Sequence, residues 1–150
     1  MFMPEALAQA YKAFNIKEVP VGAVIVDRNS RIILTKAHNM VESTLNPTHH
    51  AEIIAINQAC ALLNCKYLYG YEIYISLEPC VMCAAALSYV KIDRIFFGAY
   101  DKKFGAIENG IRFFNNTETH YKPEIYGGIM ELESKQILQK FFQNLRNKKM

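Results

Sequence analysis

Two short segments of this sequence carry residues able to hold a metal ion and to move protons: His50-Ala51-Glu52 and Pro79-Cys80-Val81-Met82-Cys83. Two thiolates and one imidazole suit tetrahedral zinc, and three protein ligands leave the fourth position open for water, as in catalytic sites. Cys80 and Cys83 stand i,i+3 at the start of a predicted helix, so their sulfurs can face one point. The helix N-terminus favours thiolate over thiol. Glu52 follows His50 by two residues and points near the metal without needing to be a ligand. A carboxylate there can take a proton from an activated water and pass it to a substrate. The expectation is one Zn2+ per chain, held by His50, Cys80 and Cys83, with Glu52 as the catalytic proton carrier.

A lone Cys-x-x-Cys also fits a structural zinc half-site or a redox dithiol. The separate His-x-Glu pair weakens the redox alternative. A closed structural site would need a fourth ligand, and the candidates are His49, Cys60 and Cys65. Cys60 lies in an apolar helix and reads as a small core residue. Cys65 falls at that helix's end as a plain thiol. His49 is rotated about 100° from His50 on one helix, and reads as a surface or pocket-lining histidine.

The elements that must position these residues follow from periodicity. Ala6, Leu7, Ala10, Tyr11 and Phe14 recur at helical spacing, with Pro4 acceptable in a first turn. Val21 to Val26 reads as a buried strand, Asp27-Arg28-Asn29-Ser30 as a turn, and Ile32-Ile33-Leu34 as the paired strand. Asn46-Pro47-Thr48 resembles a helix start. The segment Ala51 to Leu63 is apolar on nearly every side, which predicts a helix inside the protein. Glu72 to Leu77 reads as a strand, Pro79 opens a small-residue helix toward Val90, and Arg94 to Ala99 is another β-rich run. Residues 101–123 are predicted to be loops with short structure. Gly127-Gly128 precedes a last helix with Ile137, Leu138, Phe141, Phe142 and Leu145 as its apolar stripe. The basic tail Arg146, Lys148 and Lys149 follows. Alternating strands and helices indicate an α/β protein.

With 150 residues, 51% hydrophobic and 21% charged, the chain has globular composition and fits a single domain over 1–150. No apolar run is long enough to cross a bilayer, and the N-terminus lacks the pattern of a secretory signal, so no membrane partner and a cytoplasmic location are expected. The four cysteines are then expected as reduced thiols. The net charge of +3 permits a nucleic-acid partner without establishing one.

With these residues in place, the sequence resembles the zinc-dependent cytidine/deoxycytidylate deaminase superfamily, whose base deaminases are recognised by this His-x-Glu and Pro-Cys-x-x-Cys signature. Within it, the closer resemblance is to the tRNA adenosine deaminases. That resemblance runs through Glu18-Val19-Pro20-Val21-Gly22-Ala23-Val24, Asn46-Pro47-Thr48 and Leu77-Glu78-Pro79-Cys80-Val81-Met82-Cys83-Ala84. It continues through Phe97-Gly98-Ala99 with Asp101, Lys103 and Gly105, and ends in the late Phe141-Phe142 before the basic tail. Nearly the whole chain is covered.

The resemblance implies a three-layer α/β/α sandwich around a central mixed sheet of about five strands. It also implies a homodimer with active sites near the subunit interface. The implied activity is hydrolytic deamination of adenosine to inosine at the wobble position of a tRNA anticodon stem-loop. Asn39 is expected to hydrogen-bond the target nucleoside, Val21 and Ala51 to line its pocket, and Asp101 to lie near the nucleic-acid backbone. Phe142 and Arg146 are expected to hold RNA by stacking and charge, with at least one of Phe141 and Phe142 anchoring the last helix to the core. The alternatives are a deaminase of a free base, nucleoside or nucleotide, and a noncatalytic zinc-binding partner subunit. The presence of Glu52 counts against the latter.

Overall fold

The structure is a computed structural model and describes residues 1–116, 118 and 121–148. Lys149 of the expected basic tail lies outside them. Its centre is a five-stranded mixed sheet in the order β2-β1-β3-β4-β5. The strands are β1 (Gly22–Asp27), β2 (Ile33–His38), β3 (Tyr71–Leu77), β4 (Arg94–Ala99) and β5 (Glu124–Tyr126). β1 runs antiparallel to both β2 and β3, whereas β3, β4 and β5 are parallel. Helices α1 (Met3–Asn15) and α5 (Glu131–Lys148) pack on one face, α3 (Ala51–Leu63) and α4 (Val81–Tyr89) on the other. This is the three-layer arrangement expected.

The β1–β2 hairpin closes where sequence places its turn, because Asp27 Oδ1 accepts the amides of Asn29 (2.8 Å) and Ser30 (3.1 Å). A parallel β3–β4 pair requires a crossover, which α4 supplies. Each sheet face buries its own apolar cluster. Ala23, Ile25, Ile73, Ile75, Ile95 and Phe97 face α3 and α4. Val24, Val26 and Tyr74 meet Met3, Ala6 and Leu7 of α1. α1 lies so close that a Cβ on Gly22 would stand 2.6 Å from the Ala10 nitrogen.

Three local expectations are corrected. α3 begins at Ala51, with His50 in an extended conformation at its N-cap. Asn46 instead folds a turn of its own, its Oδ1 accepting Thr48 N (2.9 Å) and Thr48 Oγ1 (2.7 Å). α3 is also an outer layer: Asn57, Gln58, Ala61 and Leu62 are exposed, so its apolar sequence does not mean burial on all sides. Residues 124–126, just beyond the region read as loops and not assigned from sequence, form β5 and add a parallel edge strand. An unexpected short helix α2 (Val41–Thr44) ends at Leu45 in the left-handed region.

Topology fixes where a site can form. β1 is antiparallel to its neighbours, so its leading residue Val21 shares an end of the sheet with the trailing residues of β2, β3 and β4. Those are Asn39, Glu78-Pro79-Cys80 and Asp101. The Asn39 amide donates to the Val21 carbonyl at 3.0 Å and joins two of these segments directly. Open α/β sheets place ligands beyond the carboxyl ends of their parallel strands.

Candidate active site

His50 and Cys80 each occupy a helix N-cap, on α3 and α4 respectively, and Cys83 lies in the first turn of α4. Two positive helix ends therefore converge on the thiols. His50 Nδ1 lies 3.6 Å from Cys80 Sγ and 3.5 Å from Cys83 Sγ, and all three donor atoms fall within 4.8 Å of one another. A tetrahedral zinc with ordinary Zn–N and Zn–S bonds would hold nitrogen and sulfur about 3.6 Å apart. The donor set and its spacing therefore fit zinc.

The electrostatics suit an anionic ligand pair. The adjoining Cys83 thiol and the His50 ring bring the Cys80 thiol down to about 4, against the effect of burial. His50 is raised, first by its bond to Cys80 and then by Glu52. Cys83 is pushed up by its partner Cys80 and by burial. Zinc takes both cysteines as thiolates, so binding it would release any proton that the pair retains.

Glu52 stands in the first turn of α3, 3% exposed. Burial pushes its carboxyl up, while its own amide and the His50 ring pull it down. A carboxyl raised by burial beside a cationic site is suited to alternate between accepting and donating a proton.

The remaining thiols and His49 stay away from the metal. Cys60 packs against the core cluster, Cys65 is exposed with its Sγ toward Tyr67 O, and His49 Nδ1 pairs with Thr44 Oγ1 at 2.7 Å. Among the described residues, His50, Cys80 and Cys83 form the one group able to hold a metal ion. No fourth protein ligand joins it among the described residues.

The metal site opens into a cleft of about 1240 Å³. Val21, Asn39, Ala51, Asp101, Phe142 and Arg146 all line it. Ala51 is fully buried beside His50, and Asn39 Nδ2 donates to Val19 O at 3.3 Å. Asp101 Oδ1 accepts the amides of Lys103 (3.1 Å) and Phe104 (3.0 Å). The two late phenylalanines divide: Phe141 is buried against Phe14, and Phe142 is 44% exposed and turned to the cleft. The exposed charged lining comprises Lys102, Lys103, Lys135 and Arg146 against Glu42 and Glu131.

Two further buried carboxylates line the cleft that site reasoning from sequence passed over, Glu18 and Glu78. Glu18 accepts the amide of Glu42 (3.0 Å) and the amide (2.6 Å) and hydroxyl (2.5 Å) of Ser43, which fixes α2 beside Asn39. Their signal in sequence was a glutamate at the edge of a buried apolar run, which must find partners.

The chain matches the family model for the cytidine and deoxycytidylate deaminase zinc-binding region over residues 1–99. It is 49% identical over 144 residues to a tRNA-specific adenosine deaminase of Rickettsia felis, covering 96% of this chain and all of that one. It is 43% identical over 145 residues to the corresponding deaminase of Agrobacterium fabrum, covering 97% and 94%. Its fold superposes with a TM-score of 0.88 on a solved structure from studies of A-to-I editing by tRNA:A34 deaminases at the wobble position of transfer RNA. That match has 42% identity and covers 91% of this chain and 98% of the other. Among the described residues no helix is long and apolar enough to cross a membrane. The chain belongs to the cytidine and deoxycytidylate deaminase family, and within it to the tRNA-specific adenosine deaminases.

Proposed function

We propose that this protein hydrolyses adenosine to inosine at the wobble position of a tRNA anticodon, with the metal site as its reaction centre. The carrying observation is the cleft itself. It runs from His50 and Cys80 of the metal site to walls that include Phe142 and whose exposed charge is four cations against two anions, Glu42 and Glu131. Small-molecule sites occupy roughly 300–1,000 Å³, so a cleft of about 1240 Å³ is more than a free base needs. Cationic side chains and an exposed aromatic ring serve single-stranded RNA through phosphate contact and base stacking.

His50, Cys80 and Cys83 would hold zinc, which when bound would supply an activated water. The role of Glu52 is to take a proton from the attacking water as its oxygen adds to C6, and to pass that proton to N1 of the ring. Glu52 then takes the second proton, from the hydroxyl added at C6, and delivers it to the exocyclic nitrogen as the C6–N bond breaks and the C6 carbonyl forms. Water and adenosine thus give inosine and ammonia. Asn39 holds the nucleoside, Ala51 and Val21 leave room for a flat base, and Asp101 lies near the RNA backbone. Phe142 and Arg146 support the strand from α5. An adenosine extruded from a single-stranded loop reaches such a site at the least unstacking cost.

The reading includes a homodimer and a cytoplasmic location. Support for the dimer comes from Val81 and Tyr89, which are 51% and 61% exposed on the helix that carries Cys83. Purified protein offered an anticodon stem-loop with wobble adenosine, alongside free nucleosides and bases, should convert the stem-loop to inosine. Deamination of free guanine or cytidine with the stem-loop untouched would refute the assignment.

A further inference from the structure

Glu78 immediately precedes Pro79-Cys80 and is 2% exposed. A buried carboxylate so close to a metal ligand invites a chemical role, but its oxygens are fully engaged. Oε1 accepts the Asp101 amide at 3.0 Å and Asn109 Nδ2 at 2.7 Å. Oε2 accepts the amides of Ile107 (3.1 Å), Glu108 (2.8 Å) and Asn109 (3.0 Å). Five donors saturate a carboxylate, which offers about four lone-pair sites.

The donors belong to one segment, residues 101–109, which contains no helix or strand. It is folded around this side chain. The Ala106 amide donates to Pro79 O at 2.9 Å, and Gly105 bridges Cys80. Packing is so close that a Cβ on Gly105 would stand 2.5 Å from Glu78 Cδ. The same segment presents Asp101, Lys102, Lys103 and Phe104 to the cleft.

We propose that Glu78 is a positioning residue that locks the 101–109 segment to the metal-bearing turn as one wall of the substrate cleft and takes no part in proton transfer. This rests on the deaminase reading of the cleft. Its consequence is that Glu78 governs substrate binding through residues it holds rather than through contact with the reacting base.

The test is the isosteric variant Glu78→Gln in the full-length, zinc-loaded protein. Both oxygens accept only N–H donors, so the glutamine nitrogen faces at least two donors whichever way the amide turns. Charge-assisted bonds of this kind correspond to about 10- to 100-fold in an equilibrium. The amides of 107–109 should exchange hydrogen at least tenfold faster. KM for the stem-loop should rise about 10- to 100-fold with kcat within about threefold of wild type. Zinc should remain at one per chain.

Unchanged exchange and KM, a loss confined to kcat, or loss of zinc would each overturn the proposal. If Glu78→Gln shows no cooperative unfolding transition, Asn109→Ala removes a single contact and leaves the charge in place. It should raise KM less, in the same direction, and an unaltered KM would overturn the proposal. A wild-type protein inactive on the stem-loop would refute the tRNA reading instead. The KM-against-kcat split would then be measured, with the same outcomes, on the free base or nucleoside the wild type turns over.

Discussion

Replacing Glu52 with glutamine keeps the side chain's size and removes its capacity to carry protons. The other acidic groups close to the reaction centre are committed elsewhere. Glu18 holds the amides of Glu42 and Ser43, Glu78 holds residues 101–109, and Asp101 Oδ1 accepts the amides of Lys103 and Phe104. None can take over without unfolding a wall of the cleft. Two successive proton transfers pass through Glu52, which places the loss at the upper end of general acid–base effects, about 10⁴-fold in kcat. This corresponds to about 5 kcal/mol in the barrier. Because Glu52 is not among the donor atoms, zinc should stay at one per chain. Burial holds the Glu52 carboxyl above its ordinary value, so the neutral side chain should stabilise the metal-free protein and raise its Tm. Single-turnover deamination of the stem-loop, metal analysis and thermal melts with chelator would measure all three. A variant with its zinc in place and activity within tenfold of wild type would refute the proton-carrier role, and loss of zinc would make the carboxylate a ligand.

Cys83→Ala should abolish both zinc binding and activity, whereas Cys60→Ala should leave metal content at one per chain; metal analysis of the purified proteins separates the two cases. Glu18→Gln should destabilise the fold by about 1–3 kcal/mol, because α2 amides lose acceptors. Burial raises the Glu18 carboxyl, but the bonds from Ser43 and Glu42 outweigh it and hold it below its ordinary 4.5. A depressed carboxyl contributes stability that is complete above pH 4.5 and fades as pH falls through the lower folded value. The Tm gap between wild type and Glu18→Gln should therefore be constant from pH 6 to 8 and narrow below 4.5. An equal gap at every pH would mean that charge plays no part. Arg146→Ala should weaken stem-loop binding and reduce the slope of log affinity against log salt by about 1; an unchanged slope would remove Arg146 from the RNA path.

The parts of the molecule legible from sequence are those whose cause is local. The i,i+3 spacing of Cys80 and Cys83, the apolar run at 21–26 and the stripe of α5 each express their geometry within a few residues. Phe141 and Phe142 were indistinguishable by type, and only packing against Phe14 assigns one to the core. α2 is too short for a periodic signal and is held by Glu18, 24 and 25 positions away. β5 has three residues and exists because β4 offers it an open edge. Glu78 meets its partners 23 to 31 positions along the chain. No local pattern encodes such pairings, although a glutamate beside an apolar strand signals that some pairing must exist.

The metal ligands lie at two helix starts, 30 and 33 positions apart in the chain. A zinc ion joining them encloses all of α3 and β3 in a ring. Closing a loop of that length restricts the unfolded chain by about 4 kcal/mol if it persisted there as a covalent link. A bond that forms only in the native state instead adds its binding free energy to folding, in proportion to the logarithm of available metal. Metal scarcity would thus shorten the protein's survival against proteolysis as well as lower its turnover, and recovery after chelation would require refolding of any chains already opened.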